Sequence, residues 1–141
     1  MQLAAGVHVI EAEFWGRPLF LPLFVGDHVT LADTGLVGMG TSCVLPYLER
    51  LSRSPRDLNL IINTHAHTDH IGGNLELWLA SEKRARFVAH AADKPLIEDP
   101  QGAGAGPYQR YVHLGFITAE ALASALAAGG SGVKVDVTVG Q

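Results

Sequence analysis

One cysteine, Cys43, stands among 141 residues. No disulfide can close within the chain, which reads as a protein of a reducing compartment, the cytoplasm. Cys43 has no basic neighbour to lower its thiol pKa and reads as a small packed hydrophobe rather than a nucleophile. Positive charge is scarce as well: ten Lys and Arg against fourteen Asp and Glu leave a net charge of −4, with no basic stripe, which argues against a nucleic-acid partner. No apolar run approaches the ~18 residues of a membrane-spanning helix, because Pro18, Pro22 and Asp27 interrupt the most apolar region. The opening Met1-Gln2-Leu3-Ala4-Ala5-Gly6 lacks the basic n-region of a secretory signal, so no membrane partner is expected. Internal repeats are absent. The one low-complexity tract, "GAGAG", has neither the dinucleotide-binding spacing nor the lysine of a P-loop and reads as a flexible loop.

What is present suits one domain over residues 1–141, 48% of them hydrophobic, able to bury roughly two-thirds of its unfolded surface. The runs "VHVIEAEF", "LFLPLFV" and "HVTLAD", separated by Gly16-Arg17-Pro18 and Gly26-Asp27, predict an antiparallel meander. Pro22 makes its strand short, bulged or an edge. Phe14, Trp15, Phe20 and Phe24 read as packing residues, with an aromatic hairpin that walls a pocket as the alternative. Thr41 or Ser42 can cap a helix over 43–53, and Ser54-Pro55-Arg56-Asp57 predicts a short helical turn. The strand "LNLIIN" follows, then a helix marked by Leu75, Trp78 and Leu79, then a strand over 86–90. Residues 91–106 read as a long irregular, lid-like loop. An alanine-rich helix spans 118–128, stopped by Gly129-Gly130. Finally "VKVDVTV" alternates, predicting a strand over 133–139 with its four valines on one face.

Chemistry concentrates in "THAHTDHIGG", residues 64–73. His65 and His67, two apart in extended backbone, project to one side and can share an ion. Asp69 and His70, after the turn, are placed for a second ion beside it. Imidazole nitrogen with carboxylate oxygen suits Zn²⁺, with Fe or Mn also compatible. Gly72 and Gly73 remove side chains where a helix start must come close to the site. Three histidines and an aspartate after a buried strand are hard to explain as packing, since each ring would need a polar partner. His8, His28 and His113, isolated in the sequence, read as structural or incidental.

The stretch resembles the HxHxDH motif of the metallo-β-lactamase superfamily, and "VTLADTG", residues 29–35, resembles the strand that precedes that motif in the family. The resemblance covers about residues 6–92. It implies an α/β fold, one half of an αβ/βα sandwich, mostly antiparallel at its start, with helices on one sheet face. It implies that His65 and His67 bind the first metal, Asp69 and His70 the second, and that Asp33 orients a ligand from outside the coordination sphere. It also implies a hydrolase that uses metal-bound hydroxide on a small-molecule ester, thioester, lactone or amide, with Asp69 also orienting the nucleophile.

The family's second half, with its further histidines and bridging acid, has no match here, so the chain is expected to stop before that half. His90 and His113 are the only downstream histidines, and neither sits in a ligand-like pattern. The isolated chain is accordingly expected to be a poor hydrolase and to self-associate through the 133–139 edge. The rival expectation is a non-catalytic, metal-binding half-domain or assembly module.

Overall fold

Alternation of inward apolar and outward residues builds the first half of the molecule. The computed structural model describes residues 1–14 and 16–140; Trp15, expected to pack, and Gln141 lie outside the described residues. Strands β1 (Gln2–Ala4), β2 (Val7–Phe14), β3 (Arg17–Val25) and β4 (Val29–Ala32) form an antiparallel meander. Strands β5 (Leu58–Ile62), β6 (Arg86–His90) and β7 (Val137–Val139) then add in parallel, giving one seven-stranded sheet in the order β1-β2-β3-β4-β5-β6-β7. The sheet is thus antiparallel over its first three pairings, as expected of its start, and parallel over the last three.

Each parallel connection carries helices. Between β4 and β5 run a π-type turn (Gly40–Val44), α1 (Leu45–Arg50) and a 3₁₀ turn (Pro55–Asp57). Between β5 and β6 lie α2 (Thr68–Ile71) and α3 (Asn74–Ala80), and between β6 and β7 lie α4 (Lys94–Glu98), a 3₁₀ turn (Ala103–Ala105), α5 (Gly106–His113) and α6 (Ala119–Ala127). Three successive crossovers that advance the same way across the sheet, each right-handed as such crossovers are, place their helices on the same face. That face holds the core: Ile10, Leu21, Leu23, Leu31, Ile61 and Phe87 from the strands pack with Val44, Leu48, Leu77 and Ile97.

Register identifies the other face. Ile10 pairs with Leu21 and Leu23 with Leu31, so the intervening Val9, Phe20, Pro22, Phe24 and Thr30 point away from the helices, and the pattern continues through Ile62, Val88 and Val137. Phe20 is 53% and Phe24 44% exposed there. The expectation that these two rings pack is therefore corrected: each falls on the even, outward phase of β3.

Several boundaries also move. β3 is nine residues long and internal to the sheet; Pro22 is accommodated because pairing with β4 begins only at Leu23, so no β4 carbonyl needs its missing N–H. The first helix begins with the π-type turn rather than a Thr41 or Ser42 cap, and Thr41 instead bonds Glu76. The 91–106 segment is largely helical, containing α4, the 3₁₀ turn and the start of α5. Only Val137–Val139 of the 133–139 run is a strand, and the valines divide: Val133 and Val135 are buried while Val137 and Val139 are exposed. Asp136 explains the break, because its carboxylate accepts the Phe87 N–H (2.9 Å), a donor that a longer ladder would have engaged. The helix over 118–128 forms, with Thr118 Oγ1 accepting the Ala121 N–H (3.1 Å) and Gly130 at φ +71° beyond its end.

Candidate metal centre

Parallel strands present their carboxyl ends together, and in open α/β sheets ligands bind there. Asp33 follows β4, the histidine cluster follows β5, and Asp93 follows β6. His65 and His67 lie on the loop after β5, with His67 preceding α2, whose first turn carries Asp69 and His70. The ring centroids of His65 stand 4.6 Å from His67 and 3.9 Å from His70, and His70 Nε2 is 3.6 Å from Asp69 Oδ2. All four ligand candidates thus converge, with Asp33 beside them. His90 ends β6, where its Nδ1 accepts the Ala92 N–H (3.1 Å), and His113 is exposed at the end of α5. His8 is buried against Tyr47, and His28 is exposed.

Asp33 organises the protons of the cluster. It sits at φ +60°, a backbone region that Asp tolerates better than most residues. Its carboxylate accepts the Thr64 N–H (2.8 Å), the Thr64 hydroxyl (2.8 Å) and His70 Nδ1–H (2.8 Å). With the Thr64 proton given to Asp33, the hydroxyl oxygen accepts from His65 Nδ1–H at 3.0 Å. Both imidazoles are thereby held with Nδ1 protonated, His70 directly and His65 through Thr64, which leaves each Nε2 lone pair free as a donor to metal. His65 Nε2 currently accepts from His67 Nδ1 at 2.9 Å.

The electrostatics follow the same geometry. Burial, then repulsion from His70 and His67, lowers the His65 pKa, which favours the neutral ring that a metal requires. The hydrogen bond that His70 Nδ1–H donates to Asp33 raises the His70 pKa against the opposing effect of burial. Tyr108, on α5, has its ring centroid 5.8 Å from His67, and burial, then the Asp69 charge, raises its pKa.

The loop is locked by buried polar groups. Asn63 and Asn74 bond each other (Asn74 Nδ2 to Asn63 Oδ1, 2.9 Å), Thr34 Oγ1 donates to Asn74 Oδ1 (2.9 Å), and Thr34 N–H reaches the His70 carbonyl (2.8 Å). Asp93 accepts the Ala66 N–H (3.0 Å), and the Glu76 carboxylate accepts the N–H groups of Gly38 and Thr41. A Cβ on Gly72 would stand 2.4 Å from Val37 N and 2.5 Å from Ala128 O, and one on Gly73 2.6 Å from Thr34 O. The glycine pair therefore lets α2, the loop after β4 and the end of α6 meet. No pattern in the sequence assigns a role to Thr64, Asn63, Asn74, Glu76, Asp93 or Tyr108. The only signal for the first three is their position inside "NTHAHTDHIGGN", residues 63–74.

Among the described residues, no group of three or more His, Cys, Asp or Glu is arranged to hold an ion as it stands, since the rings hydrogen-bond each other. The donor set itself fits a divalent transition metal: neutral imidazole nitrogens, an adjacent carboxylate, and a further carboxylate outside them fixing the tautomers.

A family model for the metallo-beta-lactamase superfamily matches residues 23–133. A hydroxyacylglutathione hydrolase of Synechococcus sp. (strain JA-2-3B'a(2-13)) is 35% identical over 85 residues, covering 57% of this chain and 33% of the relative. Another, from Synechococcus sp. (strain JA-3-3Ab), is 44% identical over 52 residues, covering 37% of this chain and 20% of the relative. Among solved structures, a metallo-beta-lactamase mutant from Cronobacter sakazakii superposes with TM-score 0.69 at 24% identity, covering 100% of this chain and 47% of that one. A metallo-beta-lactamase family protein from Thermus thermophilus superposes with TM-score 0.68 at 19% identity, covering 99% of this chain and 48% of that one. At these identities the structural likeness is one of fold, and the chain spans about half the length of those solved proteins. The family match, which takes in β4, the whole histidine cluster and every helix, shows that this chain belongs to the metallo-beta-lactamase superfamily.

Proposed function

We propose that the chain carries the metal-binding part of a metal-dependent hydrolase acting on an ester or thioester, with His65, His67, Asp69 and His70 as ligands and Asp33 orienting two of them. The observation that carries this reading is the proton relay: one carboxylate fixes His70 directly and His65 through Thr64, leaving two Nε2 lone pairs facing the cluster. A buried aspartate that served packing alone would have no need to set imidazole tautomers. When bound, the metal supplies Lewis acidity and an activated water at neutral pH. Around it, the chain holds His65 and His70 rigidly, keeps His65 neutral, and places Asp69 to accept the proton of an incoming water. In the overall reaction the acyl–oxygen or acyl–sulfur bond breaks, water adds hydroxyl to the acyl carbon, and the leaving group takes the proton. The hydroxyacylglutathione hydrolase relatives favour thioesters among these substrates.

The test is metal content together with turnover. The purified chain is expected to bind zinc, iron or manganese, and His65→Ala with His67→Ala to lose most of it. Metal-dependent cleavage of a hydroxyacylglutathione by the wild type, absent from the double variant, supports the hydrolase. Unchanged metal content in the double variant overturns the ligand assignment. Because the isolated chain is expected to be a poor hydrolase, turnover is also read with the family's second half supplied in trans, and full metal binding without any turnover in that mixture instead supports the non-catalytic metal-binding module.

A further inference from the structure

Phe14, at the end of β2, lines two cavities beside the cluster. One, of about 560 Å³, is also lined by Arg17, Pro18, Leu19 and Asp69. The other, of about 430 Å³, is lined by Leu36, Thr68 and the α6 residues Ala121, Ser124, Ala125 and Ala128. Both volumes fall in the ~300–1,000 Å³ range of sites that take small organic ligands. They reach the cluster at adjacent residues, Thr68 and Asp69, so a molecule whose reacting bond lies there can extend into both.

Their chemistry differs. α6 buries Leu122 and Leu126 and turns residues at i, i+3, i+4 and i+7 toward its groove, where alanines leave the space open and nearly every lining surface is apolar. The opposite cavity carries a guanidinium: among the described residues no carboxylate lies within ion-pair distance of Arg17. Arg17 is thus available to a planar carboxylate from outside the chain.

Resting on the hydrolase reading above, we propose that the substrate is an amphiphilic acyl compound held on both sides of Phe14. Its aliphatic acyl group lies against α6, and a carboxylate on its leaving group pairs with Arg17. A short acyl group leaves the α6 groove empty, whereas each methylene buried there strengthens binding roughly fourfold. Chain length is therefore read by α6 and leaving-group charge by Arg17, independently of each other.

Binding to the metal-free chain tests this without turnover. S-hexanoylglutathione, S-acetylglutathione and S-hexanoyl-N-acetylcysteamine, the last lacking a carboxylate, are titrated calorimetrically. The wild type is expected to bind hexanoylglutathione at least tenfold tighter than either of the others. Ala125→Leu, an exposed helix position where leucine is well tolerated, should abolish the preference over acetylglutathione while leaving acetylglutathione binding unchanged. Arg17→Gln should abolish only the preference over the cysteamine thioester. Equal affinity for all three probes in the wild type, or preferences that survive both variants, overturn the proposal. Because the titration uses neither metal nor catalysis, a failure of the hydrolase reading would appear separately, in metal content and turnover.

Discussion

At the residue scale, Asp33 is the position on which most of the cluster depends. Asp33→Asn keeps a side chain that tolerates the same positive φ but removes the charge that orders His70 and Thr64. Loss of such an orienting partner typically costs 10–100-fold in metal affinity, and we expect that loss in a zinc titration of the variant. Thr64→Val should weaken binding as well, through His65 alone. In the metal-free chain, the raised His70 pKa means that the His70–Asp33 pair contributes stability fully present below the unfolded value of about 6.5. That contribution is lost as pH rises through the folded value, which lies above it. The wild type should therefore exceed Asp33→Asn in stability by more at pH 6 than at pH 9, measured by urea unfolding; a gap that widens toward pH 9 would contradict the assignment. His65 behaves oppositely: its folded pKa is lowered, so protonation costs stability as pH falls below about 6.5. The ligand candidates are legible in the sequence because two-residue spacing and a histidine-aspartate pair form a local pattern. Asn74 and Asp93 are not, since each acts across the fold on a partner that no sequence period links to it, and Thr64 is not because its hydroxyl reaches His65 only as a relay from the distant Asp33.

At the element scale, legibility follows length and phase. The eight-residue β2 and nine-residue α6 stand out because each repeats its period several times. α4, five residues with Pro95 in its first turn, completes little more than one turn and so hides inside an apparent loop. The run over 133–139 shows the converse error, where perfect alternation suggests one buried face but the chain joins the ladder only at Val137 and spends Val133 and Val135 in the helix-side core. Gly72→Ala tests the meeting of α2 with the end of α6. Its Cβ would press on backbone atoms that cannot rotate away, so we expect a destabilisation of about 1–3 kcal/mol by denaturant unfolding. Thr118→Ala should cost about 1 kcal/mol through loss of the α6 cap, without changing metal content.

At the scale of the whole molecule, the helices cover one side of the sheet and leave Phe20, Phe24, Val137 and Val139 exposed on the other. An apolar face of this kind, continuous with β7, a terminal strand of the sheet with backbone groups on its outer side, favours association. We expect sedimentation at tens of micromolar, on the order of concentrations where exposed sheet surfaces associate, to show species larger than the monomer. Phe20→Lys with Val139→Lys should shift them to monomer, and a wild type that stays monomeric would refute this expectation. No helix among the described residues is long and apolar enough to cross a membrane. The order of the strands has a consequence for synthesis. Because every strand pairs with its immediate predecessor in the chain, a nascent polypeptide leaving the ribosome always presents a finished edge to the next strand to emerge. The sheet can grow vectorially, one strand at a time, without waiting for a distant segment to be translated.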